Sequence, residues 1–143
     1  MKISTKGRYA LRMLVDMAQQ EEGKPIPLKE ISKRQNISKK YLEQIVPVLH
    51  GAGLLRTVRG HQGGYLLAKS PQDITVYDII LATEGSLAPV ACLDDTPNLC
   101  PRAQDCKTLP VWQGLHRVVK EYLSSITVAE VAHQPGDTMD FCI

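Results

Sequence analysis

Three cysteines fall within fifteen positions, Cys92, Cys100 and Cys106, in the stretch CLDDTPNLCPRAQDC, spaced C-x7-C-x5-C. Pro, Asp and Asn between them mark the stretch as a loop. Three thiolates this close can do one of three things. They can ligate an iron–sulfur cluster, which tolerates one non-cysteine ligand. They can bind zinc, although structural zinc sites favour pairs two to four residues apart and these gaps are wide. They can also form a reversible thiol switch without metal. No C-x-x-C pair, phosphate loop or nucleophile–base constellation accompanies them, so the chain is not expected to be an enzyme.

The compartment bears on that choice. No apolar run exceeds the four residues of Ile79–Ala82, far short of the roughly 20 residues that span a bilayer. Arg8 and Arg12 interrupt the N-terminus where a secretory signal would be apolar. A cytoplasmic protein with no membrane partner is expected, where thiols stay reduced and serve as ligands or sensors rather than disulfides. Hydrophobic residues make up 43% of the 143 and charged residues 22%, ordinary for a globular chain. The net charge of +2 conceals a division. Residues 1–70 carry 13 Lys and Arg against 5 Asp and Glu, and residues 71–143 carry 4 against 10. A basic front joined to an acidic back fits a nucleic-acid-binding unit attached to a sensing or assembly region.

The elements that must position these groups can be read in order. Leu11, Leu14, Val15 and Ala18 recur at helical spacing over residues 5–20, with Ser4 or Thr5 as cap. Lys2, Lys6, Arg8 and Arg12 crowd the N-terminal end of that helix, against its dipole, which phosphate contact explains better than helix stability. A second short helix opens at Pro27 with Leu28 and Ile31 inward. After a tight Gln35-Asn36-Ile37 connection, Ser38 caps a third, with Leu42, Ile45, Val46 and Leu49 on one face and a kink expected at Pro47. This is a helix-turn-helix pattern. Two β-prone runs, residues 54–58 and 65–68, flank a glycine-rich turn and add a hairpin wing with Arg59 at its tip.

Beyond the wing, Thr75 to Asp78 is a capping pattern for a helix over 76–84 closed by Gly85. The cysteine loop occupies residues 86–107. Pro110 opens a longer helix whose stripe of Val111, Leu115, Val118, Val119, Tyr122 and Ile126 exceeds what a winged-helix core needs. Such a stripe packs against its copy in a twofold dimer, the symmetry a pseudo-palindromic operator requires. Thr127 to Glu130 caps a last short helix ending near His133. The expected fold is mainly α with a small β-hairpin wing. It has a winged helix-turn-helix DNA-binding domain (1–85), the cysteine loop (86–107), a dimerisation helix with a short terminal helix (108–133) and a flexible tail (134–143).

The segments KISTKGRYALRML, ISKKYLEQIVPVL, RTVRGHQGGYLL and ITVYDII closely resemble the IscR family of bacterial winged-helix regulators that sense iron–sulfur status. The likeness covers about residues 1–133. It implies a homodimeric transcription factor, a repressor of cluster-assembly genes, holding an iron–sulfur cluster of the 2Fe-2S or 4Fe-4S type on Cys92, Cys100 and Cys106. It implies that the helix matching 38–46 reads the major groove and that Glu43 helps discriminate between classes of site. Ser38, Lys39, Lys40, Tyr41, Glu43 and Gln44 are the candidate DNA contacts on that helix. Arg56, Arg59 and Gly60 would serve the wing, and Lys6 and Arg8 the first helix. One departure stands out. Leu109 occupies the position where the best-known members carry a histidine as fourth ligand, so that ligand is open among Glu43, Cys142, His116, His133, Asp94, Asp95 and Asp105. Glu43 is the sharpest choice, because ligation would tie the loop directly to the recognition helix. The rival reading is a winged-helix protein without a cluster, either a regulator responding through its thiols to sulfur metabolites or a module that binds a partner enzyme. Salt-sensitive binding to duplex DNA separates DNA binding from the enzyme-binding form.

Overall fold

The computed structural model describes residues 1–135; the terminal cysteine, Cys142, and most of the expected tail lie outside the described residues. Six α-helices and one antiparallel hairpin make up the architecture among the described residues. The order is α1 (Thr5–Ala18), α2 (Leu28–Gln35), α3 (Lys39–Gly51), β1 (Leu55–Val58), β2 (Gly64–Leu67), α4 (Val76–Glu84), α5 (Leu109–Ser124) and α6 (Val128–Ala132). One core draws on all of them except α5. Ala10, Met13 and Leu14 meet Ile31, Leu42, Ile45, Leu49, Leu54, Ile79 and Val128 there.

Local chemistry sets most boundaries. Ser4 caps α1 by accepting from the Gly7 amide at 3.1 Å. Glu84, at the far end of α4, accepts from the Ser4 amide at 2.9 Å and its hydroxyl at 2.6 Å. Gly7 leaves room for that contact, since a Cβ there would stand 2.6 Å from Glu84 Oε1 and push the carboxylate aside. Asn36 ends α2 in the left-handed region, φ 53°, where Asn is tolerated better than most side chains. Thr75 and Thr127 each form a complete capping box, with Asp78 and Glu130. Helix α3 continues through Pro47 to Gly51.

The hairpin pairs Leu55 with Leu67 and Val58 with Gly64. Ile26, entering α2, bridges to Tyr65 with hydrogen bonds of 3.0 and 2.9 Å, so the wing is stitched to the helix-turn-helix. Gly64 permits that approach, because a Cβ there would lie 2.5 Å from the Ile26 backbone.

The buried face of α1 differs from the sequence expectation. Ala10, Met13, Leu14 and Met17 are enclosed, while Leu11, Val15 and Ala18 are only partly so. The helix packs against α2 and α3 on one side and α4 and α6 on another, so its apolar face is wider than one stripe. At the other end of the chain, Thr127 bridges back to Thr75, and Val128 reaches the core with no exposure. Helix α5 packs on α4 through a smaller cluster in which Leu123 and Ile126 lean against Val76 and Ile80. No helix among the described residues is long and apolar enough to cross a membrane.

Candidate nucleic-acid interface and cysteine loop

Helix α3 divides cleanly. Leu42, Ile45 and Leu49 face the core, and Lys39, Lys40, Glu43 and Gln44 face outward. Ser38 caps its start by accepting from the Tyr41 amide at 3.1 Å, leaving the positive end of the helix dipole beside two lysines. Lys39 and Glu43 stand 3.9 Å apart as an i,i+4 pair, an exposed contact worth little energy. Tyr41 is the exception on this helix. Its ring is partly buried and meets Tyr9 of α1 edge-on, centroids 5.3 Å apart at 72°.

At the wing, Arg59 and Gly60 sit exposed at the turn between the strands. Arg56 lies at the other end of the hairpin, opposite Leu66, and lines a surface cleft with Met17, Lys24 and Ile26. Of the basic residues on α1, Arg8 is exposed and donates to Thr5 Oγ1 at 2.9 Å, and Lys6 is partly exposed.

A buried polar knot beneath α1 and α2 is invisible to periodicity. Asp16 is 2% exposed. Its carboxylate accepts from Arg34 Nη2 at 2.7 Å and Nε at 3.0 Å, and from Gln35 Nε2 at 2.9 Å. The hydrogen bond that Arg34 donates to Asp16, opposed by partial burial and reinforced by the Asp16 charge, holds the guanidinium above its already high range. A lone acid among Met13, Leu14 and Met17 was the available signal, since a buried carboxylate needs partners.

The cysteine loop leaves α4 after Gly85. Cys92 lies in a single 3₁₀ turn (Ala91–Leu93), Cys100 precedes a further turn, and Cys106 stands just before α5. All three thiols are free and partly exposed. Cys106 Sγ lies 3.4 Å from Thr108 Oγ1. That hydrogen bond, with help from the Thr108 and Leu109 amides and Arg102, lowers the Cys106 thiol below its ordinary range. Asn98 accepts from the Cys100 amide at 2.9 Å, and its Nδ2 is buried with no partner among the described residues. Asp94 is tied to Ser86 at 2.5 Å.

Three thiols and an orphaned donor in one loop are, in kind, what a thiolate-bound inorganic group needs. They are not gathered in this conformation. Among the described residues no three His, Cys, Asp or Glu side chains converge as metal ligands. Glu43 pairs with Lys39 on the outer face of α3 and is not brought into a set with the cysteines. His133 is engaged with the Ala129 carbonyl at 2.7 Å, His116 is partly exposed on α5, Asp95 and Asp105 are exposed, and Leu109 is the first residue of α5.

Comparison with known proteins gives these features a context. A family model for Rrf2, described as an iron-dependent transcriptional regulator, matches residues 3–134. Protein rrf2 of Nitratidesulfovibrio vulgaris is 39% identical over 131 residues, 92% of this chain and 87% of that one. The structure of CymR, the global cysteine regulator of B. subtilis, superposes with a TM-score of 0.75 at 39% identity, covering 92% of this chain and 96% of that one. The structure of T. potens IscR does so at 0.71 and 41%, covering 92% and 85%. The winged-helix expectation and the likeness to IscR both hold, with a cysteine regulator among the similar proteins as well. With its capped outward-facing helix, stitched wing and match over residues 3–134, the chain belongs to the Rrf2 family of transcriptional regulators.

Proposed function

We propose that the protein is a homodimeric DNA-binding regulator whose operator occupancy responds to a group carried by Cys92, Cys100 and Cys106. The observation that carries this reading is the division of α3, whose apolar residues are enclosed while Lys39, Lys40, Glu43 and Gln44 are all presented outward. Lys39 and Lys40 neutralise phosphates beside the capped helix start, Gln44 and Glu43 address base edges, and Arg59 enters the minor groove from the wing. The exposed Val111, Leu115, Val118 and Tyr122 of α5 are the face of the twofold contact. The three cysteines would hold an iron–sulfur cluster of the 2Fe-2S or 4Fe-4S type. Bound there, it supplies a centre that is lost under iron shortage or oxidation. Repression of cluster-assembly genes is the output that the likeness to IscR implies.

A second reading has its own support. The hydrogen bond that lowers the Cys106 thiol also favours a thiolate switch without metal, and the likeness to a cysteine regulator points the same way.

The test is one sample purified without oxygen. Its visible spectrum is recorded with iron, acid-labile sulfide and zinc, and its affinity for duplex DNA is followed against salt. Charge-transfer bands with matching iron and sulfide are the expected result. A colourless protein that resists cluster reconstitution sinks the cluster reading; stoichiometric zinc then makes the loop a structural zinc site, and no metal at all leaves the thiol switch. Binding to DNA that ignores salt overturns the phosphate contacts.

A further inference from the structure

Arg12 is one of three basic residues on α1, and by charge alone it is a phosphate ligand. Its guanidinium is already engaged. Nε donates to Gln35 Oε1 at 3.2 Å, Nη2 donates to the Gln35 carbonyl, and the group stands 5.2 Å from the centroid of the Tyr9 ring. Both of its partners are held in turn. Gln35 is fixed by the buried Asp16, which also takes Arg34. Tyr9 meets Tyr41 in the first turn of α3.

We propose that Arg12 is a positioning residue for the recognition helix. It ties the last residue of α2 to the Tyr9–Tyr41 pair, and so fixes the start of α3 relative to α1 and α2. A planar fork that donates two ways and lies against an aromatic ring is something a lysine ammonium cannot reproduce. Reading base edges needs the first turns of α3 held accurately, whereas neutralising a phosphate needs only a charge nearby. Arg12 therefore acts on which sequences are bound more than on how strongly DNA is bound.

The inference rests on duplex binding through α3, and the test keeps the two apart. Full-length wild type, Arg12→Lys, Arg12→Gln and Gln35→Ala are titrated with two duplexes of equal length. One is selected from a random pool by the wild-type protein and the other is of random sequence. Salt is varied from about 50 to 200 mM. Arg12→Lys and Gln35→Ala, which keep the charge count, are expected to lose about five- to tenfold on the selected duplex, the size of one weakened base contact. On the random duplex they change less than about twofold, with an unaltered salt slope. A role in stability alone lowers binding to both duplexes alike and leaves their ratio unmoved, which overturns the proposal. So does the phosphate pattern, in which Arg12→Lys matches wild type while Arg12→Gln loses on both duplexes and its salt slope falls by about 0.9. Wild type binding neither duplex overturns the DNA-binding reading, and the inference with it.

Discussion

Helices α3 and α5 are both amphipathic, yet they are finished in different ways. In α3, Leu42, Ile45 and Leu49 are wholly enclosed and the polar face is the working surface. In α5 no residue is buried, and Val111, Val118 and Tyr122 are each more than half exposed. An amphipathic pattern says that one face avoids water; it does not say what covers it. For α3 the cover is the rest of the chain. For α5 the described residues supply only α4 and part of a small cluster, so the remainder is left for another surface. The same contrast separates the buried Asp16 carboxylate, satisfied by Arg34 and Gln35, from a cysteine loop whose Asn98 donor has no partner among the described residues.

The largest effect that could break this comparison is on stability. Leu42→Ala should cost about 2–5 kcal/mol in urea unfolding. Val118→Ala, measured on dilute monomer, should move it by less than about 0.5 kcal/mol. Equal losses would mean that α5 is as enclosed as α3. Next comes the oligomer. If α5 is the face of the proposed dimer, Val118→Glu should weaken self-association about a hundredfold by sedimentation, because a carboxylate would replace an apolar contact there, while leaving the fold intact. An unchanged association constant would move the dimer contact off α5. Thr127→Ala should remove about 1 kcal/mol by opening one capping box, read as faster amide exchange in α6. Exchange as slow as wild type would show the cap to be redundant. The smallest effect lies at the loop. Alkylation of Cys106 should begin below the ordinary thiol range of about 8.5, and Thr108→Val should shift its pH profile upward, since the lost donor favoured the thiolate. A profile that does not move assigns the lowering to another neighbour.

How much was legible in the sequence follows from the range of each interaction. Ser38, Thr75 and Thr127 were readable as caps because a cap is settled within four residues. The wing is legible as two β-prone runs around a glycine-rich turn. In α1 the stripes Leu11, Leu14, Val15, Ala18 and Ala10, Met13, Leu14, Met17 have the same helical spacing, so periodicity does not choose between them. Packing on α2, α3, α4 and α6 encloses the second and only half-covers Leu11, Val15 and Ala18. Asp16 with Arg34, and Tyr9 with Tyr41, join positions on different helices; the lone acid in an apolar stripe signals that Asp16 needs a partner, but no local pattern names which one. For the same reason the cysteines could be named as thiol donors, while their convergence could not be read from spacing.

The return of the chain from Ile126 to Ile74 and Val76 has a consequence for how such a protein can change over time. Two backbone hydrogen bonds, Val76 to Ile126 at 2.9 Å and Val128 to Ile74 at 2.8 Å, close the framework around everything between α4 and α6. In polymer terms the cysteine loop and α5 form an excursion whose two ends are pinned side by side. Doubling the length of a flexible loop between fixed ends costs only about 0.6 kcal/mol. Residues can therefore be gained or lost between the thiols, or the thiols exchanged for other ligands, without disturbing α3 or the wing. A frame closed in this way lets one DNA-reading scaffold be refitted to a new chemical input by recutting a single segment.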